Sequence, residues 1–489
     1  MGRNSAYNTL PGTLIIISAA FIIITAIYFP NTLFGFAALL GGYIALRQVA
    51  ALFANLIGVW RVRQSERRDW YKEYERRKRP DSLEWADVRH LVVIPSYKEN
   101  IQVLRDTLRR LAESPLAKTH VIIALAMEGR DPNAVSTAEK LLAEFRGNFL
   151  RIMYSIHPPN LPGEARVKGA NETWAMRMVR HEVLDVMKIS RDNLVVTTID
   201  ADTLLHPKYL EALSCKFAAA RAERRYAYIW QAPIRYHNNV WDVPPSLSLI
   251  NAYSSAWEMA YLAGFWWHSI PISSYSLSYR LLEESGFWDV DVVADDWHIF
   301  LKAFFLREGR TWMRPIFLPF TGYATTGDNF LDACRNRYQQ TVRHAWGATE
   351  IGYTLRQMSE TNTPAYRAIP LFLRVIHDHI LASCGWLIVA LGAQVPLVLP
   401  GVPYDQPLMW VARAALAISV ITGLGFWWLD FYSRPPREKP LTLVEAFITV
   451  ISFPLLPVLT FFLLAMPAIE AQMRLFFNAQ RELSVARKV

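Results

Sequence analysis

The chain has 489 residues, 52% of them hydrophobic and only 19% charged, with a formal net charge of +9. That length exceeds one ordinary domain. With this much apolar residue, a basic excess argues for a membrane face and against a nucleic-acid binder. The three cysteines, Cys215, Cys334 and Cys384, show neither metal-ligand spacing nor a disulfide framework, which fits a reducing compartment.

Leu10 to Phe29 is an uncharged apolar run long enough to cross a bilayer. A Pro30-Asn31-Thr32 turn leads to a second run, Leu33 to Trp60, whose one charge, Arg47, has to face protein or water. The n-region holds only Arg3 and a second span follows at once, which argues against a cleaved signal peptide. Residues 1–60 are thus expected to form two transmembrane helices. Residues 61–80 carry nine Lys or Arg against four Asp or Glu, and by the positive-inside rule they are cytoplasmic. Residues 61–86 read as a basic interface segment lying along anionic lipid.

Residues 87–350 read as one α/β domain. Apolar strands at Leu91 to Ile94, Val121 to Ala126, Leu150 to Tyr154, Val195 to Ile199 and Tyr226 to Ile229 alternate with helices such as Ile101 to Glu113 and Pro132 to Phe145. This alternation predicts βαβ units and a mainly parallel sheet. Residues 351–378 read as interfacial helices and 379–489 as a C-terminal membrane region. The loop Gly401 to Pro407 lacks Lys and Arg and is expected outside; Arg434, Arg437 and Lys439 place the next loop in the cytoplasm. The last apolar segment contains Pro454 and Pro457, and Arg474, Arg481, Arg487 and Lys488 follow it. A simple fifth span would put that basic tail outside, so a broken or re-entrant segment is expected.

The chemistry centres on Val195 to Pro207, VVTTIDADTLLHP. A β-branched strand runs into Asp200 and Asp202, and ligands of α/β sheets sit at the carboxyl ends of strands. Paired carboxylates suit Mg²⁺ or Mn²⁺ shared with substrate phosphates. A lone D-x-D is as often a strand-end helix cap, so the other motifs matter. Pro95-Ser96-Tyr97-Lys98-Glu99 ends the first strand, and Glu128 follows the second. Lys168-Gly169-Ala170-Asn171 opens a helix with a cation, a natural anion site. Ala294-Asp295-Asp296-Trp297 places two acids at an element boundary, where one can act as a base while the other caps. On a helix, Gln340, Arg343 and His344 share a face, with Trp346 close by.

In this order, between membrane spans, the motifs resemble the membrane-embedded family-2 glycosyltransferases, the group of cellulose, hyaluronan, chitin and curdlan synthases. The resemblance implies a cytoplasmic GT-A (Rossmann-like) domain inserted between N- and C-terminal transmembrane helices, in the inner or plasma membrane. It implies donor binding by Pro95, Ser96, Tyr97, Glu99, Glu128, Lys168, Asp200, Gln340 and Arg343, and a metal, Mg²⁺ or Mn²⁺, on Asp202. Asp296 corresponds to the general base. Gln231, Asp295, Trp297, His344 and Trp346 fall on the acceptor path. Two departures stand out: T-E-D reads Ala294-Asp295-Asp296, and Q-x-x-R-W reads Gln340-Thr341-Val342-Arg343-His344, with the Trp displaced to Trp346.

The expected activity is inverting transfer from a nucleotide sugar, UDP-linked in the polymerising relatives, to a saccharide acceptor in exopolysaccharide or glucan-type synthesis. The departure at His344 leaves nonprocessive transfer to a lipid acceptor open. A reading from another class is a transporter or receptor that senses a nucleotide sugar. Sugar, linkage and oligomeric state are not encoded in any motif.

Overall fold

The computed structural model describes residues 5–265, 268–437 and 440–477. Lys439 and the tail residues Arg481, Arg487 and Lys488, used above to orient the C-terminal region, lie outside the described residues.

Two long helices open the chain, α1 (Ser5–Tyr28) and α2 (Pro30–Glu66), the second started by a proline at its first turn. Helix α3 (Trp70–Arg77) lies in the basic segment, capped by the Asp69 side chain on the Lys72 amide. Its Glu73 gathers Arg68, Arg76 and Arg77, so part of the positive charge is neutralised locally.

The α/β body follows as β1 (Arg89–Ser96), α4 (Ile101–Ala112), β2 (Val121–Glu128), α5 (Ala134–Glu144), β3 (Arg151–His157), α6 (Lys168–Val179), β4 (Leu194–Thr198), α7 (Tyr209–Ala218), β5 (Tyr228–Gln231) and β6 (Ile234–Arg235). Then come α8 (Pro245–Ala263), β7 (Tyr275–Ser278), α9 (Asp295–Leu306), β8 (Trp312–Pro315), β9 (Phe320–Thr321), α10 (Phe330–Ala345) and α11 (Thr349–Glu360). The seven-stranded sheet has the order β3-β2-β1-β4-β7-β5-β8. Every pairing is parallel except those of β7, which runs antiparallel to β4 and β5. The expected strands and the helices between them are present, with ends displaced by one to three residues. The antiparallel β7 is an addition: SYSLS has no long apolar run to announce it.

Strands β1, β2 and β4 are buried on both faces, as their unbroken apolar runs require. One cluster, with Val92, Ile94, Leu104, Ile123 and Leu213, fills one side of the sheet. A second, with Leu91, Val93, Ile122, Met176 and Phe300, fills the other. The sheet therefore presents the carboxyl ends of β1, β2 and β4 side by side, at the point where functional side chains collect.

The chain then enters α12 (Ala365–Ile380), which continues through a π-helical turn into α13 (Trp386–Gly392), followed by α14 (Gln406–Tyr432), α15 (Leu443–Thr460) and α16 (Met466–Phe476). Among the described residues, five helical stretches are long and apolar enough to cross a membrane: Tyr7–Tyr28, Pro30–Glu66, Ala365–Val398, Gln406–Tyr432 and Leu443–Phe476. Their contacts order them. The α1–α2 turn and the loop before α14 meet through Asn31 and the Pro403 carbonyl (3.3 Å), at the end away from the sheet. The C-terminal end of α14 returns to the α/β body, where Asp430 binds His237 (2.9 Å) and Arg434 (2.8 Å).

The last stretch starts and ends on that same side. Glu445 pairs with Arg437, Leu463 packs with Val243 and Leu247, the Tyr338 hydroxyl donates to Glu470 (2.6 Å), and Phe476 lies against Gly12. Pro454 and Pro457 lie inside α15, which is followed by a π-helical turn at Phe461–Ala465. Arg47 behaves as its position demands: it reaches the Tyr261 hydroxyl (3.2 Å) and lies over the Trp257 ring.

One arginine ties the basic segment to the α/β body. Buried Arg225 donates to the carbonyls of Phe217 (3.2 Å), Ala218 (3.2 Å) and Ala220 (2.8 Å) at the end of α7, and to that of Asp81 (2.6 Å). Two of these carbonyls also accept backbone amides, Phe217 from Ala220 (3.2 Å) and Ala218 from Leu83 (3.1 Å), so the guanidinium supplements a helix end that is already partly capped. Arg225→Met removes these charge-assisted bonds and the tie to Asp81, and should cost about 1.5–3 kcal/mol. A lowered unfolding midpoint for the detergent-solubilised variant checks this, with Arg225→Lys falling between.

Candidate active site

A cavity of about 1390 Å³ opens where β1, β2 and β4 end. Pro95, Ser96, Tyr97 and Glu99 line it from the end of β1, Glu128 from β2, and Asp200 and Asp202 from the turn after β4. Lys168 at the start of α6, Asp295, Asp296 and Trp297 at the start of α9, and Arg343 and His344 on α10 complete the wall. The motifs widely separated in sequence therefore face one space.

Lys168 sits at the centre. Its Nζ donates to Asp200 Oδ1 (3.1 Å) and to the Ser273 carbonyl (3.3 Å), and lies 3.9 Å from Glu172 Oε1 and 4.0 Å from Asp295 Oδ2. Burial opposes its charge, but Asp200, Glu172 and Asp295 together outweigh burial and hold the ammonium well above its ordinary pKa. The approach needs Gly169. A Cβ there would fall 2.9 Å from the Asp289 carbonyl oxygen and 3.2 Å from Trp288 Cβ, so only glycine lets α6 come this close to the segment before α9.

The acids differ in environment. Glu172 is fully buried, bonded by the Thr198 hydroxyl, and burial pushes its pKa up to about 8, against the pull of Lys168. Asp295 is raised by burial, with Lys168 opposing and Asp200 adding to the rise; its Oδ2 has no hydrogen-bond donor. Asp296 accepts from the Ser273 amide (2.9 Å) on Oδ2 and from the Trp297 amide (2.8 Å) on Oδ1. Burial first, and the neighbouring Asp295 second, push Asp296 up to about 7. Ser273 binds both sites at once, since its hydroxyl donates to Asp200 Oδ2 (2.9 Å). On α9 itself, His298 is held between Glu350 (2.9 Å) and Asp289 (2.8 Å), and despite burial these two acids raise it to about 10. A buried imidazolium thus anchors the turn that carries Asp296.

At the far wall, buried Glu128 pairs with Arg130 (3.0 Å), whose guanidinium lies over the Tyr97 ring at 4.6 Å. An aromatic face, a carboxylate and a guanidinium form a polar slot for a planar heterocycle.

Three expected site residues do not line the cavity. Gln231 is wholly buried and accepts from the Ile272 amide (3.0 Å), so it holds the loop that carries Ser273. Gln340 accepts from the Thr325 hydroxyl (2.7 Å) and from Arg337 (3.2 Å), and it is Arg337 that reaches the cavity wall. Trp346 is buried against Ala471 and Leu475 of α16. Conversely, Arg130, Asn171, Ser273 and Arg337 line the cavity without having been singled out. Asn171 lies inside the Lys168-Gly169-Ala170-Asn171 motif, Arg130 two residues after Glu128 and Arg337 three before Gln340, so nearness to those motifs was their signal. Ser273 has none. Asn171 donates to the Ala126 carbonyl (2.6 Å) and keeps a buried Oδ1 without a donor.

For a divalent cation, among the described residues no three His, Cys, Asp or Glu side chains form a metal-holding group. Asp202 is 4% exposed, lines the cavity and accepts from the Tyr323 amide (3.1 Å) on Oδ2. Its carboxylate offers hard oxygen of the kind Mg²⁺ and Mn²⁺ take, with phosphates supplying the rest of the shell. Asp200 is committed to Lys168 and Ser273. The residues present therefore fit a cation held by Asp202 and a bound diphosphate, not an all-protein cage.

Comparison with known proteins gives a family match over residues 195–464, to the glycosyl transferase family group 2. No curated protein matches the chain. Among solved structures, it is similar to the mannosyltransferase PcManGT from Pyrobaculum calidifontis in complex with GDP-Man and Mn²⁺, with 14% identity, a TM-score of 0.46, and coverage of 90% of this chain and 100% of that one. It is also similar to S. aureus TarS 1-349 in complex with UDP-GlcNAc, with 13% identity, a TM-score of 0.33, and coverage of 72% and 93%. The family match spans more than half of the 489 residues, from β4 through the D-x-D, α9 and the apolar helices, and the chain belongs to the glycosyl transferase family group 2.

Proposed function

We propose that this glycosyltransferase is an inverting, metal-dependent enzyme that moves a sugar from a nucleotide-sugar donor to an acceptor hydroxyl at the cytoplasmic face of a membrane. The observation that carries the reading is Asp296, a carboxyl held near neutrality on the wall of the cavity that also contains the D-x-D acids. A general base works best when its pKa lies close to the working pH.

The chain's own groups divide the work. Tyr97, Glu128 and Arg130 receive the base of the donor. UDP is the nucleotide of the polymerising enzymes that the motifs resemble. Asp200, fixed by Lys168 and Ser273, faces the ribose, and Lys168 and Arg343 bring positive charge to the diphosphate. A cation on Asp202 would neutralise the charge that builds on the leaving diphosphate. Asp296 accepts the hydroxyl proton as the acceptor oxygen bonds to the anomeric carbon. The bond from that carbon to the diphosphate breaks on the opposite face, and its electron pair leaves with the nucleotide. Attack opposite the leaving group inverts the centre. Ser273 couples the halves, because one residue fixes both the donor-side Asp200 and the base.

Asp296→Asn should retain donor affinity and lose transfer by about 10² to 10⁴; nucleotide titration and turnover on the purified variant check both. The active base is the carboxylate, so kcat/KM should rise with pH through about 7 and level off above it. Asp295→Asn removes a like charge beside Asp296 and should move that limb to lower pH. A limb left in place would separate Asp296 from the pH dependence. Excess chelator should abolish turnover, and Mg²⁺ or Mn²⁺ should restore it.

A further inference from the structure

We propose that the acceptor is an amphiphile whose hydrocarbon chain lies in a groove between the apolar helices, open sideways to the bilayer and ending at Asp296. This names the acceptor class for the transfer proposed above and rests on that reading.

The cavity does not stop at the acids. It continues between the apolar helices, where α2 contributes Phe34, Ala37, Ala38, Gly41 and Ile44. These positions recur at helical spacing on one face and extend over about 15 Å at the helical rise. Helices α13 and α14 both pack on α2 rather than on each other, so α2 is a floor between two walls. The small side chains of that floor, with Ala390, Ala393 and Ala412 from the walls, create the space. Helix α15 crosses the end nearest the α/β body with Leu456, Thr460 and Leu463.

Two features fix the kind of occupant. The groove is open at its side: the lining residues Leu397, Leu416 and Val420 remain 77%, 61% and 46% exposed. A conduit for a hydrophilic polymer would be closed against lipid. The walls are also mainly aliphatic. A sugar ring placed among Val389, Leu416, Leu456 and Leu463 would leave its hydroxyls without partners, at a cost of about 1–3 kcal/mol each. A hydrocarbon chain meets no such penalty. Arg47 and Arg413 are the charged side chains of the α2 and α14 stripes; Arg47 is occupied by Tyr261, and Arg413 lies over the Trp410 ring. Polar and aromatic groups concentrate instead where the groove reaches the acids. There Trp257, Tyr261, Trp297 and His379 surround the approach to Asp296 and suit a polar headgroup.

The test uses the full chain in nanodiscs of expression-host lipid, with a panel of radiolabelled UDP- and GDP-sugars. Label should be recovered in chloroform–methanol, as a glycolipid. Ala390→Trp and Gly41→Leu, which fill the groove, should lower that incorporation by at least about tenfold, as loss of a subsite does, with donor affinity unchanged. Val444→Trp, on the exposed face of α15 outside the groove, should behave as wild type and controls for added bulk. Label recovered only as water-soluble chains or free sugar, or full organic-phase incorporation in both filled variants, would overturn the proposal. A bilayer lipid that merely fills the groove would give the first of these results. If no donor is bound or consumed, it is the transfer reading that fails.

Discussion

The site depends on one ammonium group shared among acids. Lys168 is the cation that Asp200, Glu172 and Asp295 all face at 4.0 Å or less, and these three come from the β4 turn, α6 and α9. Without it, the like charges would repel one another within a poorly solvated cavity. With it, the β4 turn, α6 and α9 are drawn together before any ligand arrives. The negative charge still exceeds the positive. Raised proton affinity on Glu172, Asp295 and Asp296 is how the protein relieves the excess. The raised Asp296 carboxyl is therefore a consequence of burial first and of the neighbouring Asp295 second, not of one special contact.

Much of this was legible in the sequence because strand-end chemistry is local. A β-branched run followed by Asp200 and Asp202 leaves few choices about where those acids point, and the same holds for Glu128 after β2. Apolar spans are equally legible, since about 20 uncharged apolar residues have one common use. The helix carrying Gln340 and Trp346 was read less well. Residues on one stripe of α10 do not all face the cavity, because α16, far along the chain, covers Trp346. Helical periodicity gives a face; only the tertiary partner says what lies against it. Gln231 fails for the same reason, since β7 and the loop before it were invisible and supply its partner, Ile272. Ser273, which joins Asp200 to Asp296, follows no motif at all.

The two departures from the synthase motifs now have a physical context. Asp295 in place of Glu shortens the side chain in a spot where Gly169 has already brought α6 within contact distance. His344 lines the cavity where the synthases place a stacking Trp, and this chain's Trp346 instead secures α10 to α16. That trade moves aromatic surface out of the acceptor path and into the joint between the α/β body and the last helix. A long polymer needs successive stacking platforms. A single headgroup of the kind proposed above, beside Trp257, Tyr261 and Trp297, would not.

The arrangement of α15 and α16 makes the same argument from another direction. A last segment that crossed the membrane could close the side of the groove between α13 and α14. Pro454 and Pro457 lie inside α15 and a π-helical turn follows it, and beyond that turn Glu470 meets Tyr338 and Gln472 meets Ser383. The segment therefore braces α10 and the turn that continues α12. In the proposed reading, an open-sided groove and a braced α10 are one structural choice, because both follow from where this proline-containing segment lies.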